Sequence, residues 1–247
     1  MKYIGIIPAR FASSRFPGKP LVIIQGKTMI QRVFEQASKA KVLSKVVVAT
    51  DNSQIFENVE SFGGNVIMTS EHHRTGTERC FEVVEKLEET YDVAINIQGD
   101  EPFIDPKQIE KVASCFKNKE IQIATLLKEI SDSDELFNEN VIKAVADINK
   151  KAIYFSRNPI PFFRGKEKNN WLENNKYFKH IGIYAYKTDV LEQIVKLSPS
   201  PLELAESLEQ LRWIENAYSI NVEFTNIESF SIDTPEDLAK AKINLPL

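Results

Sequence analysis

Three cations, Arg10, Arg15 and Lys19, fall in the short stretch Pro8-Ala9-Arg10-Phe11-Ala12-Ser13-Ser14-Arg15-Phe16-Pro17-Gly18-Lys19-Pro20, and no acid lies among them. Pro17, Gly18 and Pro20 keep this stretch out of a helix, so backbone N–H groups near Ser13, Ser14 and Gly18 are available to anionic oxygens. With the three cations adding charge-assisted bonds, the chemistry suits a triphosphate. A solvated basic loop between a strand and a helix accounts for the same residues. Two acids complement the loop. Asp100 follows Ile95-Asn96-Ile97-Gln98-Gly99 and Asp233 follows Phe230-Ser231-Ile232, so each is expected to end a strand. Mg²⁺ is commonly held by one or two carboxylates together with phosphate oxygens, which two strand-end aspartates could provide. Gly99 would let a ligand approach the backbone, Pro102 stiffens the turn, and Glu101 is the fallback ligand. Asp233 has a second reading, because Asp-Thr-Pro-Glu also opens a helix with the acid as its cap.

Other reactive types carry less. His72 and His73 are adjacent, His180 sits beside Lys179 in an expected strand, and no pair has zinc-ligand spacing. A lone histidine such as His180 is ordinarily a hydrogen-bonded structural residue. Arg157 and Arg164 follow an apolar run and suit a carboxylate by bidentate pairing, although a solvated arginine is the commoner case. Phe155, Tyr184, Tyr186 and Trp213 read as core or subunit contacts. Gly26-Lys27-Thr28 is not the end of a phosphate loop, since Leu21 stands where that motif needs its first glycine. No Gly-x-Ser-x-Gly elbow is present.

The elements that must position these residues alternate through the first half. Tyr3-Ile4-Gly5-Ile6-Ile7 reads as a buried strand that delivers the basic loop to the carboxyl edge of a sheet, where open α/β folds bind ligands. A helix is expected over 28–41, a strand over 45–50, a helix capped from Asp51-Asn52-Ser53 and ended by Gly63-Gly64, and a short strand over 65–68. Thr77 would cap a helix over 78–89, a strand over 92–98 delivers Asp100, and Pro106 opens the next helix before a strand over 121–127. Strand and helix in alternation imply a parallel, doubly wound sheet. After about Ser131 the rhythm changes. A hairpin is expected over 141–156, a strand over 179–186, a helix over 189–197 and one helix over 203–218 with Leu204, Leu208, Leu211 and Ile214 on one face. The expected division is 1–130 with 219–247 as a nucleotide-binding core, and 131–218 as an inserted lobe covering one side of the cleft.

At 247 residues, 43% hydrophobic and 27% charged, the chain has the composition of a soluble globular protein with one large domain or a domain with an insert. A net charge of −4 argues against a dedicated nucleic-acid binder, so the cations are local. Two cysteines, Cys80 and Cys115, make no disulfide framework and fit a reducing cytoplasm. No apolar run approaches the roughly 20 residues that span a bilayer, and the first residues are expected to enter a strand rather than form a signal region.

Taken in order, Ile6-Ile7-Pro8-Ala9-Arg10 through Leu21, Gly76-Thr77-Glu78-Arg79, Asn96-Ile97-Gln98-Gly99-Asp100-Glu101-Pro102, Tyr154-Phe155-Ser156-Arg157, His180-Ile181-Gly182-Ile183-Tyr184, Leu208-Glu209-Gln210-Leu211-Arg212 and Asp233-Thr234-Pro235-Glu236-Asp237-Leu238 resemble the 3-deoxy-manno-octulosonate (Kdo) cytidylyltransferases, the CMP-Kdo synthetases of lipopolysaccharide assembly. The resemblance spans essentially the whole chain. It implies a nucleotide-diphosphosugar-transferase-like α/β fold, Rossmann-like and mostly parallel, with an inserted α+β lobe for dimerisation and sugar binding. It implies a cytoplasmic homodimer that takes CTP and Kdo as substrates and uses Mg²⁺, without nucleic acid or membrane. By the family pattern, Pro8, Ala9, Arg10, Ser13, Ser14, Lys19, Arg74, Gly76, Thr77, Gln98 and Asp100 would meet the nucleotide, with Lys19, Arg10 and Asp100 catalytic. Asp100 and Asp233 would hold the metal, and Gln98, Arg157, His180, Tyr184, Glu209 and Gln210 would line the sugar side. Segments 158–164 and 204–207 are expected to vary among relatives and to border the sugar, so the 8-amino analogue of Kdo or sialic acid stays open as the acceptor. Readings of another class are a noncatalytic nucleotide-binding subunit and a transferase that consumes a preformed CMP-sugar.

Overall fold

The structure, a computed structural model, describes residues 1–12 and 16–244. The chain begins with β1 (Tyr3–Ala9), the short pair β2 (Ile23–Ile24) and β3 (Lys27–Thr28), and α1 (Met29–Ala37). It continues with β4 (Leu43–Thr50), α2 (Ser53–Ser61), β5 (Val66–Met68), α3 (Gly76–Lys86), β6 (Val93–Asn96), α4 (Pro106–Ser114) and β7 (Ile123–Glu129). Then come α5 (Ser133–Phe137), β8 (Lys143–Ala146), β9 (Ala152–Ser156), α6 (Trp171–Asn174) and β10 (Phe178–Lys187). The chain ends with α7 (Thr188–Ile194), α8 (Pro201–Glu206), α9 (Glu209–Glu215), β11 (Ile220–Phe224) and α10 (Pro235–Asn244).

Side chains alternate along a strand, and β1 is apolar on both sides because both faces of its sheet are covered. Ile4 and Ile6 pack with Cys80 and Val83 of α3, Leu191 of α7 and Leu211 and Trp213 of α9. Ile7 and Ala9 point the other way, into Ile30 and Val33 of α1, Ile55 and Val59 of α2, and Ile109 and Val112 of α4. Among the described residues the main sheet runs β11-β7-β10-β6-β1-β4-β5, with β8 and β9 attached alongside β10. β1 lies parallel to β4 on one side and to β6 on the other, and β5 lies parallel to β4. The chain therefore leaves β1 in one direction and returns to its opposite flank as β6. That reversal is a topological switch point, and it opens a crevice between the loops after β1 and β6.

The mostly parallel α/β sheet agrees with expectation, and three details correct it. First, within the stretch expected as an inserted lobe, β10 runs antiparallel between β6 and β7 in the middle of the sheet, and α7 and α9 cover it. The broken rhythm records β9 and β10, which both run against the parallel strands. Second, the single helix expected over 203–218 is two helices, because Ser207 takes a left-handed φ of 52° between α8 and α9. Leu204, placed on the apolar face in sequence, is 69% exposed. Third, 225–233 forms no strand, so Asp233 ends an irregular segment pinned where Ile232 N donates to Asp100 O at 2.9 Å.

Candidate active site

The crevice is lined by Pro8, Ala9 and Arg10 after β1, by Lys19 and Pro20, by His73 through Gly76 with Arg79 at the start of α3, by Gln98, Gly99 and Asp100 after β6, and by Asp233. Its cavity volume is about 260 Å³, and it opens to solvent on one side.

Each wall has a local cause. Gly18, at φ 70°, turns the loop back on itself, and Gly18 N donates to Phe11 O at 3.0 Å. That turn presents Lys19 to the crevice. Gly99 is required for a different reason from ligand access: a Cβ there would stand 2.6 Å from Pro8 O, so only glycine lets the loop after β6 lie against the end of β1. The α3 wall is built by a capping box between Thr75 and Glu78, and the Glu78 carboxylate also accepts from Arg74 N at 2.6 Å. Thr75, not Thr77, is thus the cap. The helix opens at Gly76, which aims its positive end at the crevice.

Charge is concentrated at one point. Lys19 Nζ donates to Asp100 Oδ2 at 2.8 Å and to Asp233 Oδ1 at 3.0 Å. Glu101, beside Asp100, is buried and accepts a 3.1 Å bond from Ser229 Oγ. Burial, then the Asp100 charge, push its pKa up to about 7 against the Ser229 bond, so it is poorly suited to the role of spare metal ligand. On the α3 side, Arg79 is buried, with Nη2 on Asp51 Oδ2 at 2.7 Å and Nη1 on Thr69 Oγ1. His73 Nε2 meets Glu82, whose carboxylate also accepts from Ser70 N at 2.8 Å. Burial works to raise the Glu82 pKa, but the bonds from Lys86, Ser70 N and His73 outweigh it and leave it at about 2. Glu78 and Glu82, one turn apart, therefore clip the loop before α3 in place.

Of the residues expected at the nucleotide, Pro8, Ala9, Arg10, Lys19, Arg74, Gly76, Gln98 and Asp100 line the crevice, and Asp233 joins them. Ser13 and Ser14 lie outside the described residues. Thr77 does not line it: it is buried, and Oγ1 donates to Glu209 Oε2 at 2.7 Å. Of the set expected at the sugar, Gln98 lines the crevice, and Arg157, His180, Tyr184, Glu209 and Gln210 lie outside the lining. His180 Nε2 meets Thr125 Oγ1 at 2.9 Å, with its ring 5.0 Å from Tyr184 and 5.3 Å from Phe155. The residue keeps some accessible surface, but burial of its ring pushes the pKa down to about 3. Glu209 is pushed up by burial, against bonds from Thr77 and Thr75. Arg157 is anchored by Nε to Glu206 O at 2.7 Å and Nη1 to Glu139 O at 3.1 Å, while buried Lys143 donates to its carbonyl. Gln210 is buried in α9, and Gln98 bridges the two groups through Nε2 to Gly182 O at 2.6 Å. Asn96 Oδ1, Tyr184 Oη and Trp213 Nε1 are buried without a hydrogen-bond partner among the described residues.

Sequence reasoning missed His73, Thr75 and Arg79. The Thr75-x-x-Glu78 spacing was a readable capping box, whereas the partners of Arg79 come from Asp51 and Thr69 and leave no local mark.

A mostly parallel sheet whose carboxyl edge sets a basic loop against two carboxylates, with a helix start between them, defines a nucleotidyltransferase-like protein. The family model described as cytidylyltransferase matches residues 4–242, and the chain belongs to that family. The chain is 55% identical to the 3-deoxy-manno-octulosonate cytidylyltransferase of Parabacteroides distasonis over 98% of its own length and 97% of that protein. It is 54% identical to the enzyme of the same name from Phocaeicola vulgatus, over 98% and 96%. A solved structure of CMP:2-keto-3-deoxy-manno-octonic acid synthetase complexed with CTP superposes with a TM-score of 0.91 at 40% identity, covering 98% of this chain and 97% of that one.

Proposed function

We infer that the chain transfers CMP from CTP to Kdo, giving CMP-Kdo and diphosphate for lipopolysaccharide assembly. The observation that carries this is identity above one half, over nearly the full chain, to enzymes of that name. In the crevice, Arg10 and Lys19 are placed to meet the triphosphate, with the start of α3 on the same wall. Asp100 and Asp233 fit a divalent ion such as Mg²⁺: two hard oxygen donors lie within 3.0 Å of one cationic nitrogen, beside space for phosphate oxygens. When bound, such an ion supplies positive charge to the α-phosphate and the leaving diphosphate.

The sugar's anomeric hydroxyl attacks the α-phosphorus in line and gives its proton up to solvent, while the bond from the α-phosphorus to the bridging oxygen breaks and diphosphate leaves with the electron pair. Residues of the chain act mainly by positioning and by meeting charge as it builds. Gln98 faces the crevice and is fixed by Gly182, so it sits between nucleotide and acceptor. The acceptor side is formed by Arg157, His180, Tyr184, Glu209 and Gln210, where the unpartnered Tyr184 Oη leaves a buried polar atom for a polar ligand. We place the working enzyme in the cytoplasm as a homodimer.

The test is diphosphate release from CTP with Kdo, 8-amino-Kdo and sialic acid assayed in parallel. Release with Kdo well above the other two is expected. Release with sialic acid alone, or CTP binding with no release from any acceptor, would overturn the assignment.

A further inference from the structure

We propose that Thr77 is a positioning residue for the acceptor: its hydroxyl holds the Glu209 carboxylate, so that one bond sets the sugar side against the helix start beside the nucleotide. The proposal rests on the reading of Glu209 as part of the acceptor side. It moves Thr77 from the nucleotide, where the family pattern puts it, to the other substrate.

Thr77 is the second residue of α3, so no helical carbonyl lies behind it for the usual back-bond of a threonine. It is only 2% exposed, and its hydroxyl needs a partner inside the protein. Thr77 Oγ1 finds one 132 residues away, donating to Glu209 Oε2 at 2.7 Å. Glu209 opens α9, just after the left-handed turn at Ser207. The Thr75 hydroxyl also bonds to Glu209, while Thr75 Oγ1 caps α3 by accepting from Glu78 N at 3.1 Å. Two hydroxyls from one turn thus grip one carboxylate, and Gly76 between them lines the crevice. Arg212, the nearby cation of α9, is committed elsewhere: its Nε donates to Glu203 Oε2 at 2.7 Å and its Nη1 to Leu197 O at 3.1 Å.

Glu209 reaches the acceptor set through Tyr184. Burial, then the Glu209 charge, raise the Tyr184 pKa, which puts the carboxylate within electrostatic range of that phenol. Tyr184 lies opposite Asn96 of β6, with its ring 5.0 Å from His180 and 5.2 Å from Trp213. Tyr184 Oη, Trp213 Nε1 and Asn96 Oδ1 are buried without a hydrogen-bond partner among the described residues, so polar groups remain there for a ligand to meet. Glu209 keeps some accessible surface, and a carboxylate has about four lone-pair sites, so it can hold the Thr77 bond and still accept from a sugar hydroxyl. Gripped at Oε2 it presents one orientation, and without the grip it turns about its side-chain torsions and presents several. A bond that only joined α3 to α9 would affect stability, or both substrates alike, whereas a bond that aims Glu209 affects the acceptor.

Steady-state diphosphate release by the full chain, with each substrate varied while the other is saturating, tests this. Thr77→Val, which removes the hydroxyl, should raise KM for Kdo about 10-fold, the effect of losing a hydrogen bond to a charged group, with KM for CTP within about twofold of wild type. Thr77→Ser, which keeps the hydroxyl, should behave as wild type. Glu209→Ala should raise KM for Kdo, and Thr77→Val added to it should raise it no further, because the two residues act as one unit. If circular dichroism shows Thr77→Val unfolded, Thr77→Ala takes its place in both comparisons. The proposal is overturned by an unchanged KM for Kdo, by serine behaving as valine does, by additive effects with Glu209→Ala, or by an equal rise in KM for CTP, which would return Thr77 to the nucleotide. The wild type tells this failure from that of the proposed reaction. Release with 8-amino-Kdo or sialic acid in place of Kdo sinks the Kdo assignment alone, and the comparison of KM values is then read on that acceptor. Release with none of them sinks both.

Discussion

Asp100 and Asp233 come from distant parts of the chain yet share one partner, Lys19, in the crevice. In a water-poor site a positioned charge is worth far more than in solvent, so Asp100→Ala and Lys19→Ala should each lower kcat on the order of 10²-fold or more while the circular dichroism spectrum is kept. Wild-type rates in both variants would show that neither charge meets the reacting phosphates. Glu101, one residue on, has the opposite role. Its carboxyl is held protonated by burial and by Asp100, with a folded pKa of about 7 against an ordinary 4.5. Its contribution to stability is complete below 4.5 and is lost as pH rises through 7, because the folded state must then carry a buried charge that the unfolded chain ionises freely. At most this amounts to about 3 kcal/mol. Glu101→Gln removes the titration, so the melting temperature of the variant relative to wild type should climb between pH 5 and pH 8. A difference that stays flat with pH would mean that Glu101 is not held protonated. Asp100 and Asp233 were picked out in sequence because each was expected to end a strand, although Asp-Thr-Pro-Glu read equally as a helix cap, and the ammonium joining them is a tertiary fact with no local signature.

Among the elements, those with local rules were readable and those decided by a single backbone angle were not. The caps at Asn52 and Asp105 fall where side-chain type places them, with Asn52 Oδ1 accepting from Gln54 N at 3.0 Å and Asp105 Oδ1 from Lys107 N at 2.8 Å. Leu204, Leu208 and Leu211 instead suggested one continuous helical face, and nothing in their spacing announces the break at Ser207. The break matters, because the Ser207 and Glu206 carbonyls both accept from the Arg157 guanidinium, and α9 begins at Glu209 directly after it. A left-handed conformation costs a residue with a Cβ about 1 to 2 kcal/mol, and a β-branched side chain tolerates it least. Ser207→Gly should therefore hold or raise the melting temperature, and Ser207→Val should lower stability by about 1 to 2 kcal/mol with a higher KM for the acceptor than for CTP. If valine leaves both the melting temperature and KM unchanged, the left-handed turn does not govern how α9 and Arg157 are set.

Over the whole molecule, the crevice depends on a C-terminal segment without regular structure being held against the sheet. Strand alternation revealed the parallel half, but β10 entering between β6 and β7 could not be read, since an antiparallel strand carries the same apolar pattern wherever it inserts. That insertion brings Lys179, only 8% exposed, to face Glu135 of α5 and Glu228 of the segment that leads to Asp233. Glu228 also meets Lys128 at 2.8 Å, Gln108 Nε2 reaches Ile227 O at 3.4 Å, and Ser229 binds Glu101. The segment is thus tied to β7, α4 and the loop after β6 before it delivers Asp233. Burial alone would lower the Lys179 pKa, but its hydrogen bonds to Glu135 and Glu228 more than offset this, so it stays charged. Removing one partner of a buried charge network leaves carboxylates uncompensated at a cost of about 3 kcal/mol or more, discounted here because Glu228 is itself more than half exposed. Lys179→Met should accordingly lower stability by roughly 1 to 3 kcal/mol in urea unfolding. It should also weaken CTP binding in the presence of Mg²⁺ more than in a chelator, because Asp233 is less firmly placed although no residue of the crevice has changed. A variant that loses stability but keeps both CTP affinities would show that the ion network serves the sheet rather than the placing of Asp233.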